Sequence, residues 1–184
     1  LGKNVLIIGA GKTAINNKAK LEKFIKKYNL FVISLNTNKN INEKYVNLRT
    51  ASHPFRVISD LGNYSQKTDL AIPLSMLSAN VREKIKINKK RIKDYGIMIN
   101  LNKKFLVKKH YCILPNALAI SYSLAIAIAG KAKKIFLAGF DGYDEDDSKN
   151  DETDLVLKLI KKTYRKLKIL SITKTKYNLK HNIS

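Results

Sequence analysis

A glycine turn near the start of the chain has residue types and spacing suited to holding an anion. It follows an apolar run and consists of Gly9, Ala10, Gly11, Lys12 and Thr13. Glycines let the backbone approach a ligand closely, and the free N–H groups at a helix start attract negative charge. The order of strand, glycine turn and helix therefore predicts a site for an anion or a nucleotide. The alternative is a tight turn that binds no ligand.

Two common nucleotide-binding motifs are matched only in part by this turn. With Ala14, the spacing fits the Rossmann-type pattern G-x-G-x-x-A, but Leu6 stands where a Walker P-loop requires its first glycine. The second apolar run ends at Asn36, so the acid that binds a ribose 2′-hydroxyl in nicotinamide sites is absent there. Asn36 is itself a candidate ligand contact.

A second constellation lies between two later glycines, Gly139 and Gly142. Asp141 stands between them after an apolar run, and Tyr143 follows directly. A carboxylate at the carboxyl end of a strand can hold Mg²⁺ on a polyphosphate or accept hydrogen bonds from a ligand. Asp141 and Tyr143 are therefore predicted ligand contacts, and Asp141 is also a candidate magnesium ligand whose removal is expected to leave the fold largely intact. The alternative is a carboxylate that caps the turn.

A histidine and an arginine form a third candidate site. His53 and Arg56 occur in the segment S-H-P-F-R, and their chemistry predicts a clamp for a phosphate or a carboxylate. A pair of ordinary surface residues is the alternative. The other two histidines, His110 and His181, show no metal-binding spacing.

The apolar patterns that must position these residues alternate between strands and helices. Short, nearly continuous apolar runs predict buried strands at 3–8, 30–35, 45–48, 69–72, 95–99, 111–114, 134–138 and 168–172. Helices are predicted around 21–28, over 76–87, over 117–129 with Asn116 as N-cap, and around 156–167. This alternation predicts an α/β fold of the Rossmann-like type, with a largely parallel sheet and helices on both faces.

Length and composition indicate one globular unit. The 184 residues, 45% of them hydrophobic, predict a single domain over 1–184 with a polar tail over 173–184. No stretch resembles a membrane helix or a signal peptide, and a lone Cys112 excludes a disulfide framework, so we expect a cytoplasmic setting. The first residue is Leu1 rather than methionine, which predicts that the domain belongs to a longer polypeptide.

Charge is strongly positive but unevenly distributed. The net charge is +22, and 31 of the 36 basic residues are lysine, whereas residues 141–154 hold eight acids and one base, a net of −7. Dedicated nucleic-acid binders favour arginine and interleaved aromatic residues. The scattered lysines therefore indicate a solvated surface, and non-specific nucleic-acid binding is the alternative. No sequence-specific nucleic-acid partner and no membrane partner are expected.

Two segments resemble a known family. The glycine turn and the run 115–143, PNALAISYSLAIAIAGKAKKIFLAGFDGY, resemble the MptE-like family, named after the archaeal 6-hydroxymethylpterin diphosphokinase. They are more distantly similar to bacterial sialyltransferases. The segments LAGFDGY and ASHPFR most resemble the version found C-terminal to aldolase-like domains in bacterial surface-sugar biosynthesis proteins.

This resemblance implies a Rossmann-like core and adds Asn116 and Ser121 to the ligand-side residues. The turn departs from the family's common G-x-G-P-S, because Lys12 replaces a proline while Thr13 keeps a hydroxyl. No residue can be matched to the histidine base of the sialyltransferases, so no catalytic residue is assigned.

The residues and the resemblance lead to one main functional expectation. It is a domain that binds a nucleotide, a nucleotide-sugar or another phosphorylated ligand, with Mg²⁺ as the companion of a nucleotide. The resemblance implies an auxiliary role beside a covalently linked aldolase-like domain in bacterial surface-glycan metabolism. A transferase, diphosphokinase-like or glycosyltransferase-like, is the competing prediction.

Overall fold

Strands and helices alternate along the chain, as seen in a computed structural model that describes residues 2–85 and 87–181. The strands are β1 (Asn4–Ile8), β2 (Phe31–Leu35), β3 (Leu48–Thr50), β4 (Asp69–Ile72), β5 (Ile92–Asp94), β6 (Gly96–Ile99), β7 (Leu106–Val107), β8 (Tyr111–Leu114), β9 (Lys134–Ala138), β10 (Lys168–Ser171) and β11 (Lys180–His181). The helices are α1 (Lys12–Asn16), α2 (Lys18–Tyr28), α3 (Pro54–Ser59), α4 (Ala79–Lys84), α5 (Ala119–Ala129) and α6 (Lys149–Thr163). Within the described residues, no helix has both the length and the apolarity to cross a membrane.

Eight strands form one sheet in the order β11-β10-β9-β1-β2-β3-β4-β5, and every neighbouring pair is parallel. From β1 the chain moves outward through β2 to β5, and from β9 it moves outward in the opposite direction. The strand order therefore reverses between β1 and β9, which is where open α/β sheets bind their ligands. The predicted α/β class with a Rossmann-like parallel sheet is confirmed.

Helices cover both faces of this sheet, and the side chains of β1 alternate between the two. Val5 and Ile7 belong to the apolar cluster that includes residues of α5 and α6, whereas Leu6 and Ile8 belong to the cluster that includes residues of α1 and α2. All four side chains are buried. A strand covered on both faces needs an apolar residue at every position, which explains the continuous apolar run in the sequence.

The strand predicted at 45–48 and the helix predicted over 76–87 are displaced or shortened, and the late helix predicted around 156–167 is observed as α6, Lys149–Thr163. The strand predicted at 45–48 lies at Leu48–Thr50, because the preceding residues Glu43–Tyr45 form a 3-10 turn. Among the described residues, the helix predicted over 76–87 is limited to α4, and a separate 3-10 turn occupies Leu74–Met76. Residue 86 of the predicted range lies outside the described residues. In each case a 3-10 turn includes residues whose apolar side chains had favoured a longer strand or helix.

Helix α5 begins two residues later than predicted, with Leu118 rather than Asn116 as its N-cap. The carboxamide of Asn116 instead accepts a hydrogen bond from the Leu118 N–H at 3.3 Å. Such a side-chain-to-backbone turn competes with helical hydrogen bonding, so it delays the helix start.

Strands β6 and β8, both expected from the sequence, do not join the main sheet. They pair in parallel, and β7 adds to β8 in the antiparallel direction, which gives a small three-stranded sheet. The hydroxyl of Tyr95, just before β6, lies 3.0 Å from the carbonyl oxygens of both Lys108 and Tyr111 and donates its single proton between them. The Tyr95 phenol therefore ties the strands of this smaller sheet together.

Residues 173–181, expected as part of a polar tail, are packed against the carboxyl edge of the main sheet. Thr173 and Tyr177 are buried, and β11 pairs with β10. The remaining residues of the predicted tail, 182–184, lie outside the described residues. The C-terminal segment therefore contributes side chains to the edge where a ligand is expected.

Candidate functional site

The turns that follow β1 and β9 are joined at the point where the strand order reverses. The N–H of Gly9 donates to the Ala138 carbonyl at 2.9 Å, and the N–H of Gly11 donates to the Gly139 carbonyl at 2.9 Å. The N–H of Gly139 in turn donates to the Thr173 hydroxyl at 2.9 Å. Three segments far apart in the sequence are therefore held together by hydrogen bonds from the N–H groups of these glycines.

Glycine is needed at these positions because the two turns are in close contact. A Cβ at Gly9 would lie 2.5 Å from the Gly139 carbonyl oxygen, and a Cβ at Gly11 would lie 2.5 Å from Asp141 Oδ1. Both distances are shorter than any real Cβ contact. The glycines thus serve the packing of one turn on the other, so a bulky residue at Gly11 would disturb the fold as well as any ligand.

Asp141 links the end of β9 to the start of α1. Its carboxylate accepts a hydrogen bond from the Thr13 N–H at 2.9 Å and a second from the Thr13 hydroxyl. A carboxylate at a helix start satisfies free N–H groups and interacts favourably with the helix dipole. A phosphate at this turn would therefore have to displace the carboxylate of Asp141.

The joined turns form the floor of a cleft of about 540 Å³, here called the main cleft. Its described lining comes from the ends of β1, β2 and β9, from α3, α5 and α6, and from the C-terminal segment. The lining residues that the sequence predicted are Gly9, Ala10, Gly11, Asn36, Arg56, Asp141 and Tyr143. The structure thus brings seven of the twelve predicted ligand-side residues to one concave surface.

The other five predicted residues lie outside that lining. Lys12 and Thr13 are in α1, and the N–H of Thr13 donates a hydrogen bond to the carboxylate of Asp141. His53 lies in a neighbouring depression. Ser121 is fully buried and donates its hydroxyl proton to the carboxamide oxygen of Asn116 at 2.6 Å, while the Asn116 amide donates to the Glu152 carbonyl at 3.2 Å.

Asparagine side chains support the floor of the main cleft from the loop after β2. The amide of Asn40, which is buried, donates to the Gly9 carbonyl at 2.8 Å. The amide of Asn38 donates to the Ile8 carbonyl at 3.1 Å and to the Leu35 carbonyl at 2.9 Å. These bonds satisfy backbone carbonyls that the strand ends leave unpaired, so the loop and the glycine turn hold each other in place.

Arg49 also holds the loop after β2 in place. Its guanidinium, only 4% exposed, donates to the carbonyls of Asn36 at 2.7 Å and of Asn38 at 3.1 Å, and it forms an ion pair with Glu43. Burial raises the pKa of the Glu43 carboxyl, but hydrogen bonds from Arg49 and Thr68 outweigh this effect and hold the pKa below its ordinary value. The ionised carboxylate is therefore the partner that a buried guanidinium requires.

This ion pair predicts an acid-sensitive stability. A carboxyl whose pKa is lower in the folded state stabilises the fold above its unfolded pKa, near 4.5, and loses that contribution as the pH falls through the folded pKa. We expect Glu43→Gln to have a lower urea midpoint than the wild type at pH 7. The difference between the two midpoints should become smaller as the pH falls, because the wild type then loses the contribution of its ionised carboxylate. Urea titrations of both proteins from pH 7 to about pH 3 measure this difference. A difference that stays constant with pH would contradict the prediction.

Two tyrosines and a threonine form the wall of the main cleft beside Asp141. Tyr143 is 41% exposed, Tyr177 is buried, and both line the cleft. Burial raises the pKa of both phenols, so they remain protonated hydrogen-bond donors at neutral pH. Thr153 Oγ1 lies near the Tyr177 phenol but, among the described residues, has no hydrogen-bond partner of proper geometry. Tyr143 thus offers an aromatic face and a hydroxyl to a ligand, whereas the buried Tyr177 donates its hydroxyl proton to Asn150 Oδ1 at 3.4 Å.

Arg56 contributes a positive charge to the main cleft. It is exposed at the end of α3, and within the described residues its guanidinium makes no ion pair or hydrogen bond. Among the described lining residues Asp141 is the single acid. The described residues contain no group of three or more His, Cys, Asp or Glu side chains that could hold a metal ion. A Mg²⁺ ion here would take Asp141 as its protein ligand and the remaining ligands from a nucleotide and water.

Several lining residues were not predicted from the sequence: Thr37, Asn38, Thr153 and Tyr177. Thr37 and Asn38 follow Asn36 directly at a strand end, so their position after the second apolar run is a signal that points to them. Thr153 and Tyr177 belong to a helix and to the C-terminal segment, and nothing in their local sequence distinguishes them.

Comparison with known proteins adds no family assignment. No family model matches the chain, and no curated protein gives a significant match to it. The resemblance to the MptE-like family stays a prediction that rests on the glycine turn and the run 115–143.

Proposed function

We propose that this chain binds a nucleotide, a nucleotide-sugar or another phosphorylated small molecule in the main cleft. The observation that supports it most is the lining of the cleft at the β1/β9 reversal of the sheet. There the guanidinium of Arg56, which has no partner among the described residues, is combined with neutral hydrogen-bonding groups. Concave sites with a few convergent polar groups at this position are the usual ligand sites of α/β folds.

The lining assigns parts of such a ligand to parts of the cleft. Arg56 suits a phosphate, because a planar guanidinium can form two parallel hydrogen bonds to its oxygens. Asn36 offers donors and acceptors to hydroxyls or to a base edge, and Asn38, whose amide N–H groups already bind backbone carbonyls, offers its carboxamide oxygen as an acceptor. Tyr143, which is 41% exposed, offers an aromatic face for a sugar or base. Because Asp141 already occupies the start of α1, the proposal places the phosphate at Arg56 instead of at the glycine turn.

The biological setting belongs to the proposal and depends on the resemblance in residues 115–143. On that basis the domain acts beside an aldolase-like domain in bacterial surface-sugar metabolism. A transferase of the diphosphokinase or glycosyltransferase type is the alternative, and Asp141 in the cleft is the residue that favours it. In that case the carboxylate would help to hold a nucleotide-bound Mg²⁺, so binding of the nucleotide would depend on metal.

A ligand panel with an Arg56 variant tests the proposal. ATP, CMP, CDP, GDP and UDP-sugars, each with and without Mg²⁺, are added to the purified chain while its melting temperature is followed. A ligand that binds only the folded state raises this temperature. We expect Arg56→Ala to weaken the tightest-binding compound roughly ten-fold or more, since a hydrogen bond to a charged group contributes about 1.5–3 kcal/mol.

Arg82→Ala is the matched control, because Arg82 is also an exposed arginine on a short helix but lies outside the main cleft. Its affinity for the same compound should equal that of the wild type in calorimetric titrations. The proposal is wrong if no compound of the panel binds the wild type. It is also wrong if Arg56→Ala and Arg82→Ala lose affinity for the compound equally. A shift that requires Mg²⁺ would favour the diphosphokinase-like alternative.

A further inference from the structure

An exposed pair of rings lies beside the main cleft. The side chain of Phe55 is 77% exposed, and its ring centroid is 5.6 Å from that of His53, with an angle of 30° between the ring planes. Together with Arg56, Ile58 and Ser59 these residues line a second, more open depression, here called the side depression. The ring of Phe55 is therefore largely open to contact by a ligand.

Arg56 lies on the border between the side depression and the main cleft, because it lines both. Helix α3 is anchored on the protein by Val57, which is fully buried, and Pro54 begins it with a backbone shape suited to a first helical turn. A supported helical turn therefore carries both residues, with Phe55 lining the side depression and Arg56 lining that depression and the main cleft.

This arrangement matches a ligand with three chemically distinct parts. A planar aromatic group suits an exposed ring pair, since stacking of a base on an aromatic side chain tolerates any base and needs no hydrogen bonds. A phosphate or diphosphate suits the guanidinium of Arg56. A polar group such as a sugar suits the main cleft, whose walls carry amides and hydroxyls from Asn36, Asn38 and Tyr143.

We propose that the His53–Phe55 ring pair is the base-stacking platform for a nucleoside diphosphate-linked sugar, with its diphosphate at Arg56 and its sugar in the main cleft. This inference rests on the function proposed above and narrows it to one substrate class and one direction of binding. The base then lies outside the main cleft, and the sugar points toward Asp141.

A comparison of ligands with and without a base isolates the role of the platform. The probes are ADP, CDP, GDP and UDP, with inorganic pyrophosphate as the base-free counterpart, each titrated by calorimetry. We expect Phe55→Ala to weaken the tightest-binding nucleoside diphosphate about ten-fold and to leave pyrophosphate affinity unchanged. Leu101→Ala is the control, because Leu101 is 91% exposed and lies outside both depressions.

A tryptophan variant gives an independent readout. The chain contains no tryptophan, so Phe55→Trp introduces a single emitter at the platform. We expect the nucleoside diphosphates to quench its emission and to bind at least as tightly as they bind the wild type, while pyrophosphate leaves the emission unchanged. The emission of Leu101→Trp should not respond to any of the probes.

The outcomes separate this inference from the proposed function. If nucleoside diphosphates bind and depend on Arg56 but not on Phe55, the platform is wrong while the proposed function stands. If Phe55→Ala weakens the binding of pyrophosphate as much as the binding of the nucleotides, the ring acts only through the position of α3. The assignment of a base-stacking platform is then also wrong. If no probe binds the wild type, this inference falls, and failure of the whole panel above removes the proposed function with it.

Discussion

Gly139→Ala is expected to destabilise the chain strongly, because position 139 combines a positive φ with close contacts to the neighbouring turn. Gly139 has a φ of +71°, a conformation that costs a residue with a Cβ about 1–3 kcal/mol. Its Cβ would also lie 2.7 Å from the Ala14 Cβ and 2.9 Å from the Gly9 carbonyl oxygen. Overpacking of this kind adds about 1–3 kcal/mol. The expected loss is about 2–6 kcal/mol, a large part of the 5–15 kcal/mol that stabilises a typical protein.

The measurement is the melting temperature together with the urea midpoint of each variant. For a chain of this length the expected loss lowers the melting temperature by roughly 5–20 °C. Gly62→Ala is the matched control, because a Cβ built at Gly62 meets no atom of the described residues within 4 Å apart from its own chain neighbours. Equal stability of the two alanine variants would show that the close contact between the turns does not constrain position 139.

The central strands could be predicted from the sequence because burial on both faces leaves a local pattern. The strands β1, β2 and β9 are continuous apolar runs that end in glycine or a polar residue, and both signals are readable without tertiary information. The parallel pairing follows from the helices that separate these strands. Residues at their carboxyl ends, such as Asn36 and Asp141, were therefore correctly expected at one edge of the sheet.

The contacts within the site could not be predicted, because they join residues that are distant in the sequence. Asp141 and Thr13 are 128 positions apart, and Asn40 and Gly9 are 31 apart. A local pattern indicates that a glycine turn or a carboxylate is present, but not that one caps the other. Tyr177 reaches the main cleft only because the C-terminal segment folds back along the sheet, and its polar neighbours favoured a solvated tail instead.

Replacement of Asp141 distinguishes a structural carboxylate from one that binds a ligand. From the sequence alone, Asp141→Ala is expected to leave the fold largely intact, but the two hydrogen bonds from Thr13 predict a loss of stability. A hydrogen bond to a charged group contributes about 1.5–3 kcal/mol, and the Thr13 N–H would lose its partner. We therefore expect a loss of about 2–4 kcal/mol and a melting temperature roughly 5–15 °C lower.

A double-mutant cycle with Thr13→Val assigns this loss to its cause. The valine removes the hydroxyl and keeps the branched shape of the side chain, so Asp141→Ala should cost less in the Thr13→Val background than in the wild type. Asp144→Ala is the control for loss of a carboxylate, because Asp144 is exposed in the same acidic segment. It should leave the melting temperature nearly unchanged. Equal costs of Asp141→Ala in both backgrounds would mean that the hydroxyl bond contributes nothing.

The affinity of Asp141→Ala for the tightest-binding compound of the panel completes the test. With the sugar pointing toward Asp141, the carboxylate is expected to accept hydrogen bonds from it, so the alanine should weaken binding roughly ten-fold at a temperature where the variant is folded. Unchanged affinity combined with the lower melting temperature would make Asp141 a structural cap on α1 alone. The sugar would then depend on Asn36 and Asn38, the amide-bearing residues that remain in the lining of the cleft.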